Sequence, residues 1–240
     1  MIAYAVQLAV SYSRESAFPE SHNVRTAGLP LHGARKSLHF AVHQPFTPRR
    51  AEMGMSSDRR VVLVHDWLTG MRGGEKCLEP LCRRWPNARL LTLLHKPGSI
   101  SCAIEALKPR ASLLNRLPQV DRYYRFLLPL MPFAVEHWDL SGYDLVLSSS
   151  HAVAKGAVAA PGKRHVAYVH TPMRYAWDMQ DAYLEQTGWS APKRWLAHRA
   201  LDRLRRWDRA TTRRVDRLIA NSRFVAGRIA RAYEIGRAHV

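Results

Sequence analysis

Residues Val61–Leu94 read VVLVHDWLTGMRGGEKCLEPLCRRWPNARLLTLL. The opening run VVLV, closed by His65, has the pattern of a strand buried on both faces. A glycine-bearing loop follows, Asp66–Gly74 (DWLTGMRGG). Glu75–Trp85 is then helical in pattern: Cys77, Leu78, Leu81 and Cys82 share one face, and Glu75 sits in the first turn, where the helix dipole favours a carboxylate. Pro86 and Asn87 end the helix, and Arg89–Leu94 (RLLTLL) reads as a second strand. A strand–helix–strand unit of this length is the building block of a parallel sheet.

Downstream the same grammar returns less regularly. Leu113–Leu117 reads as a short strand. Val120–Leu130 and Phe133–Trp138 read as helical, punctuated by Pro129 and Pro132. Asp144–Ser149, His165–Val169 and Asp216–Ala220 are further apolar strands, and Asp178–Glu185, Ala191–Arg214 and Ser222–Tyr233 are helices, the last with Ser222 as N-cap. The predicted class is therefore α/β, a parallel sheet flanked by helices. Several strands run into polar residues at their C-terminal ends. In an open parallel sheet ligands bind outside those ends, so Asp66, Ser149, His151, His170 and Asn221 are expected to line one crevice.

Upstream the pattern breaks. Residues 1–57 scatter Ser, Pro, His and Arg without a sustained period, with at most a short element at Ile2–Ser11. They read as a poorly ordered leader, with the gene's start expected at Met53 or Met55. MIAYAVQLAV lacks the basic region of a signal peptide. The most apolar stretch, Phe126–Val135, has ten residues and two prolines, too few to span a bilayer.

Of 240 residues, 47% are apolar, which excludes a disordered or collagen-like chain. Three cysteines without a CxxC pair exclude a disulfide scaffold and a cysteine-built zinc site, and they fit a reducing compartment. The net charge of +18 points to an anionic partner: nucleic acid, an acidic membrane surface or a phosphorylated ligand. Residues 193–217 hold ten Lys/Arg against three Asp. They form a helix whose Leu201, Leu204, Trp207, Thr211 and Val215 recur at helical spacing. Its polar face is either plainly solvated, with pairs such as Asp202–Arg206, or a docking surface for anionic lipid through Arg199, Arg203 and Arg206. Nucleic acid finds little support, for no RNP-type aromatics and no zinc-finger spacing occur.

Three shorter constellations carry chemistry. Gly73 and Gly74 immediately precede a helix, where free N–H groups and the dipole attract a phosphate; a turn that simply needs positive φ explains them equally well. The loop matches neither the Walker pattern nor GxGxxG. In HVAYVHTPMRYAWD (165–178), a strand delivers His170 to its end, with Arg174 four residues on, able to pair with phosphate or carboxylate. In SSSHAVAKG (148–156), the serines and Lys155 are either ligand contacts or helix caps. No HExxH or other metal-ligand spacing is present, and no GxSxG elbow.

Taken in order, VVLVHDWLTGMRGGEKCLEPL, LSGYDLVLSSSHAVAKG, HVAYVHTPMRYAWD and RRVDRLIANSRFVAGRI resemble the N-terminal domain of glycosyltransferase family 4. These are GT-B retaining transferases that include bacterial mannosyltransferases of polysaccharide and lipopolysaccharide assembly. The resemblance covers Arg60–Tyr233. It implies a Rossmann-like, acceptor-side domain at 58–233, the N-terminal half of a GT-B fold. It implies a nucleotide-sugar donor such as a GDP- or UDP-sugar, a glycan or lipid-linked acceptor, no metal cofactor, and work at the cytoplasmic face of the membrane. His170 would be catalytic, hydrogen-bonding the transferred sugar. Gly73 and Gly74 would approach the donor diphosphate, and Asp66, Lys155, Arg174 and Tyr175 would contact acceptor or phosphate. The donor-binding half is expected to be absent, so the chain alone is expected not to turn over. Glu234–Val240 (EIGRAHV) matches one frame of a common sequencing adapter and is expected to carry no function. The competing reading is a basic nucleic-acid- or nucleotide-binding module without catalysis.

Overall fold

A computed structural model describes residues 59–178, 180, 184 and 190–235, all within one of the chain's two units. The leader, the tail beyond Ile235 and most of the expected helix at 178–185 lie outside the described residues.

The described unit is an α/β fold with a sheet of six parallel strands. In chain order they are β1 (Val61–Leu68), β2 (Arg89–His95), β3 (Arg110–Ala111), β4 (Leu145–Ser150), β5 (Arg164–Val169) and β6 (Arg217–Ala220). The spatial order is β3-β2-β1-β4-β5-β6, the Rossmann-like arrangement whose direction of winding reverses between β1 and β4. β1 is buried along its whole length. Its apolar run therefore reflects helices on both faces of the sheet.

Helix α1 (Gly73–Arg84) and the short α2 (Cys102–Glu105) cover one face. Leu78 and Cys82 of α1 join Leu63, Leu90 and Leu147 of the strands in one core. On the other face lie α3 (Val120–Tyr123), a 3-10 segment Tyr124–Leu130, α4 (Met131–Glu136) and α6 (Ala191–Thr211). Tyr124, Leu128, Met131, Val135, Leu201 and Leu204 pack there against Val62, Val64 and Val146. Helix α7 (Arg223–Tyr233) closes the β5–β6 end through Val225, Ile229 and Tyr233 on Val169 and Leu218.

Several expectations need correction. Leu113–Leu117 is no strand: Leu113–Arg116 is a 3-10 turn, begun by the Ser112 hydroxyl accepting from the Leu114 N–H at 3.2 Å. Val120–Leu130 is one turn of α-helix running into the 3-10 segment. The expected Asp202–Arg206 pair is replaced by a loose contact between Asp202 and Arg205 at 3.9 Å. Ser222 does cap α7, its hydroxyl accepting from the Val225 N–H at 3.2 Å.

Candidate functional site

The pairing register shows where the sheet opens. β1 and β4 stay paired up to His65 opposite Ser149, while β1 and β2 continue to Leu68 opposite His95. The strand order reverses between β1 and β4, and the carboxyl ends of these two strands are where α/β sheets bind ligands.

Asp66 governs the crevice wall. Its side chain is fully buried. One carboxylate oxygen accepts from the N–H groups of His151 (2.6 Å) and Ala152 (2.9 Å), the other from Val153 (2.6 Å) and Ala154 (2.7 Å). Burial alone would raise its pKa; the facing imidazoles of His151 and His65 and these backbone donors outweigh burial and hold it below the ordinary value. The expected ligand contact at Asp66 is therefore corrected. Its acceptor capacity is spent on the turn after β4, and it acts by placing His151, whose Nδ1 lies 3.2 Å from its carboxylate.

Three histidines meet here. His65 is fully buried and neither ring nitrogen has a hydrogen-bond partner within ordinary distance among the described residues; the Glu75 carboxylate lies 4.0 Å away. His151 stands edge-on to Trp67 at 4.5 Å and has His170 at 6.1 Å, between ring centroids. His170, half-buried at the end of β5, shares a hydrogen bond between Nε2 and the Ser149 hydroxyl at 2.9 Å. Burial, reinforced by the neighbouring His151 and His65, pushes its pKa down to about 3. At neutral pH it is an uncharged imidazole, able to hydrogen-bond a hydroxyl. Among the described residues no group of three or more His, Cys, Asp or Glu could hold a metal ion.

The N-terminus of α1 faces this cluster. The buried Glu75 carboxylate accepts from the Arg72 N–H at 2.9 Å and caps the helix. Gly73 and Gly74 do not have positive φ, so the turn itself does not demand glycine there. A Cβ on Gly73 would meet nothing within 4 Å, and one on Gly74 would only touch the His65 ring at 3.4 Å and His151 Nδ1 at 3.7 Å. What the glycines leave is open space over free helix N–H groups, between the dipole and the histidines. The positive-φ explanation of this pair therefore fails.

Lys155 is also corrected. It is fully buried, and its ammonium reaches Asp208 Oδ1 at 2.7 Å and the Thr211 hydroxyl at 2.6 Å, above the Tyr233 ring at 4.8 Å. Burial lowers its pKa and Asp208 opposes that fall. It ties the 3-10 turn Ala154–Gly156 to α6, and its ammonium is taken up by that contact. Arg174 opens the short α5 (Arg174–Trp177) with its side chain exposed; Tyr175 beside it is half-buried. On α6, Arg199, Arg203 and Arg206 are exposed on the outer face.

Sequence reading missed His65, the turn-holding role of Asp66, and Asp208. The last had a signal. Asp208 continues the inward stripe Leu201, Leu204 and Thr211, and a carboxylate on such a stripe needs a buried partner. Trp177 Nε1 donates to it at 2.7 Å and the Tyr233 hydroxyl at 3.1 Å.

Comparison with known proteins gives one family: the model of Glycosyltransferase Family 4 matches residues 105–240, more than half of the chain. No curated protein and no solved structure matches it.

Proposed function

Because the chain belongs to glycosyltransferase family 4, we propose that the described unit is the acceptor-side, Rossmann-like domain of a retaining GT-B transferase. It takes part in moving a sugar, mannose being the first candidate, from a GDP- or UDP-sugar to a lipid-linked or polysaccharide acceptor in envelope glycan synthesis. No metal is required. The work is done at the inner face of the cytoplasmic membrane. No described helix is long and apolar enough to cross a bilayer, and attachment through the basic face of α6, Arg199, Arg203 and Arg206, fits that geometry.

The observation that carries the reading is His170, bonded to Ser149 and next to His151, whose ring in turn lies beside Gly74 at the N-terminus of α1. Glycosyl transfer breaks the bond between the anomeric carbon and the donor's phosphate oxygen. Negative charge grows on that oxygen, and the N–H groups at Gly73 and Gly74 with the α1 dipole meet it without rearrangement. Positive charge grows on the sugar, beside which a neutral imidazole hydrogen-bonds a hydroxyl without adding repulsion. Ser149 fixes the ring, and the Asp66-held turn fixes His151 next to it. Arg174 and Tyr175 would contact acceptor or phosphate from the rim.

Calorimetric titration tests this. GDP-mannose and UDP-glucose are titrated into the 240-residue chain, with NAD and ATP as controls. Sugar nucleotides should bind more tightly than the controls, and Gly74→Val should weaken them at least about tenfold. Equal affinity for NAD or ATP would sink the assignment in favour of a general nucleotide-binding module, and tight duplex DNA binding with a steep salt dependence would favour nucleic acid.

A further inference from the structure

His65 is fully buried, yet neither ring nitrogen has a hydrogen-bond partner within ordinary distance among the described residues. A buried polar group left in this state costs stability, and such groups concentrate where strain, catalysis or a further charge is at work. The surroundings of the ring are specific. Its Nε2 lies 4.0 Å from the buried Glu75 carboxylate, about an ångström beyond a hydrogen bond. Its Cε1 lies 3.4 Å from where a Cβ on Gly74 would stand. The ring therefore backs the N-terminus of α1.

That N-terminus already carries one anion. The Glu75 carboxylate is buried and caps the helix through the Arg72 N–H. Burial would raise its pKa, but the facing His65 and the N–H groups of Glu75 and Arg72 hold it below the ordinary value, so it is ionised at neutral pH. A phosphate approaching the Gly73 and Gly74 N–H groups shares the first helical turn with this carboxylate, and two anions that close, away from water, repel. The charged and titratable groups around His65 are Glu75 on α1, Asp66 on β1, His151 after β4 and His170 after β5, with Arg72 facing His151. Asp66 is committed to four backbone N–H groups. His151 has its Nδ1 at the Asp66 carboxylate. His170 is bonded to Ser149, and burial has already lowered its pKa to about 3. Of the three rings, His65 is the one with both nitrogens open and Glu75 beside it.

We propose that His65 is a proton-linked positioning residue of the α1 phosphate site: when a diphosphate settles on the Gly73 and Gly74 N–H groups, the neutral ring takes one proton from solvent and the resulting imidazolium offsets the charge of Glu75. This deepens the proposed function and rests on its reading of α1 as the phosphate side. The proton adds to the lone pair of the unprotonated ring nitrogen, and it returns to solvent when the ligand leaves. The imidazolium then has an N–H to turn toward Glu75 and makes no bond to the ligand. The partly exposed His151 ring, 5.7 Å away between centroids, lies on the route to solvent. Because the bound state holds the extra proton, affinity rises as pH falls through neutrality.

The test is calorimetric titration of GDP-mannose into the full chain at neutral pH, in buffers of different ionisation enthalpy. The diphosphate of a sugar nucleotide has no proton to exchange near neutrality. The slope of observed heat against buffer ionisation heat therefore counts protons taken up by the protein. Wild-type chain should take up about half a proton or more per ligand, which makes binding about threefold or more tighter for each pH unit lowered. His65→Gln should abolish the uptake and weaken binding at neutral pH. Glu75→Gln keeps the cap, its amide oxygen accepting from the Arg72 N–H, but removes the charge. It should also abolish the uptake, yet bind at least as tightly as wild type. As a check independent of any variant, histidine-selective nitrogen NMR of wild-type chain should show one neutral ring become an imidazolium on adding the ligand. Binding with a zero slope, or with no new imidazolium, overturns the proposal and leaves the phosphate reading standing. So does uptake that persists in Glu75→Gln, or in His65→Gln, which would move the proton to another histidine. A chain that binds neither GDP-mannose nor UDP-glucose fails the proposed function itself, and this inference falls with it.

Discussion

Asp66→Asn perturbs the crevice at its support. In the wild-type chain each carboxylate oxygen accepts from two backbone N–H groups, those of His151 and Ala152 and those of Val153 and Ala154. Asparagine keeps the shape and one oxygen, but its NH2 cannot accept. Two N–H groups then face a donor in a site closed to water. At about 1–3 kcal/mol for each buried donor left unpaired, the loss is about 2–6 kcal/mol. That is a large share of the roughly 5–15 kcal/mol typical of a domain. Equilibrium urea unfolding at pH 7 measures it. The pH dependence gives a second reading. The folded-state pKa of Asp66 is lowered, so its contribution is complete above the unfolded value near 3.9 and is lost as pH falls through the folded value. The gap between wild type and variant should therefore shrink on acidification below about pH 4. A loss under about 1 kcal/mol at neutral pH, or a gap that stays constant down to pH 3, would refute the idea that this carboxylate holds the turn.

Three further changes test the packing around the crevice. Gly156→Ala would drive a Cβ into the Trp207 ring. That ring is held by Nε1 donating to Glu136 at 2.8 Å, so thermal unfolding should show a loss of about 1–3 kcal/mol, eased by Trp207→Leu. Lys155→Met strands the buried Asp208 carboxylate and should cost about 3–5 kcal/mol, whereas Lys155→Met/Asp208→Asn should cost clearly less than the sum of the single changes in a double-mutant cycle. His165, buried and bonded to the Ser148 hydroxyl at 2.8 Å, has its pKa lowered by burial to about 4. The unfolded chain takes up a proton near pH 6.5 that the folded chain refuses, so stability falls from about pH 6.5 to about pH 4, by up to about 3 kcal/mol. His165→Gln should make that limb shallower in pH-dependent urea unfolding without removing it, since His170, with its pKa lowered to about 3, refuses a proton over the same range.

Much of the sheet was legible because two-sided burial leaves a mark on the chain. VVLV at Val61–Val64 and LVLS at Leu145–Ser148 have nowhere to be but between helices. The Ser222 cap and the inward stripe of α6 were legible for the same reason, being local in sequence. The segment 113–136 was not. Its apolar residues serve two faces, and Pro129 and Pro132 break the period on which any helix reading depends.

The sequence by itself determined the strand–helix alternation, the glycine pair at the start of α1, the family resemblance and the delivery of His170 to a strand end. These are properties of neighbouring residues, and short-range sterics and periodicity suffice to set them. Only the tertiary structure decided what Asp66 and Lys155 do. Asp66 meets N–H groups 85–88 residues away, and Lys155 meets an aspartate 53 residues away. A carboxylate or ammonium cannot be buried without a partner, and which distant segment supplies that partner is settled by the order in which the strands assemble.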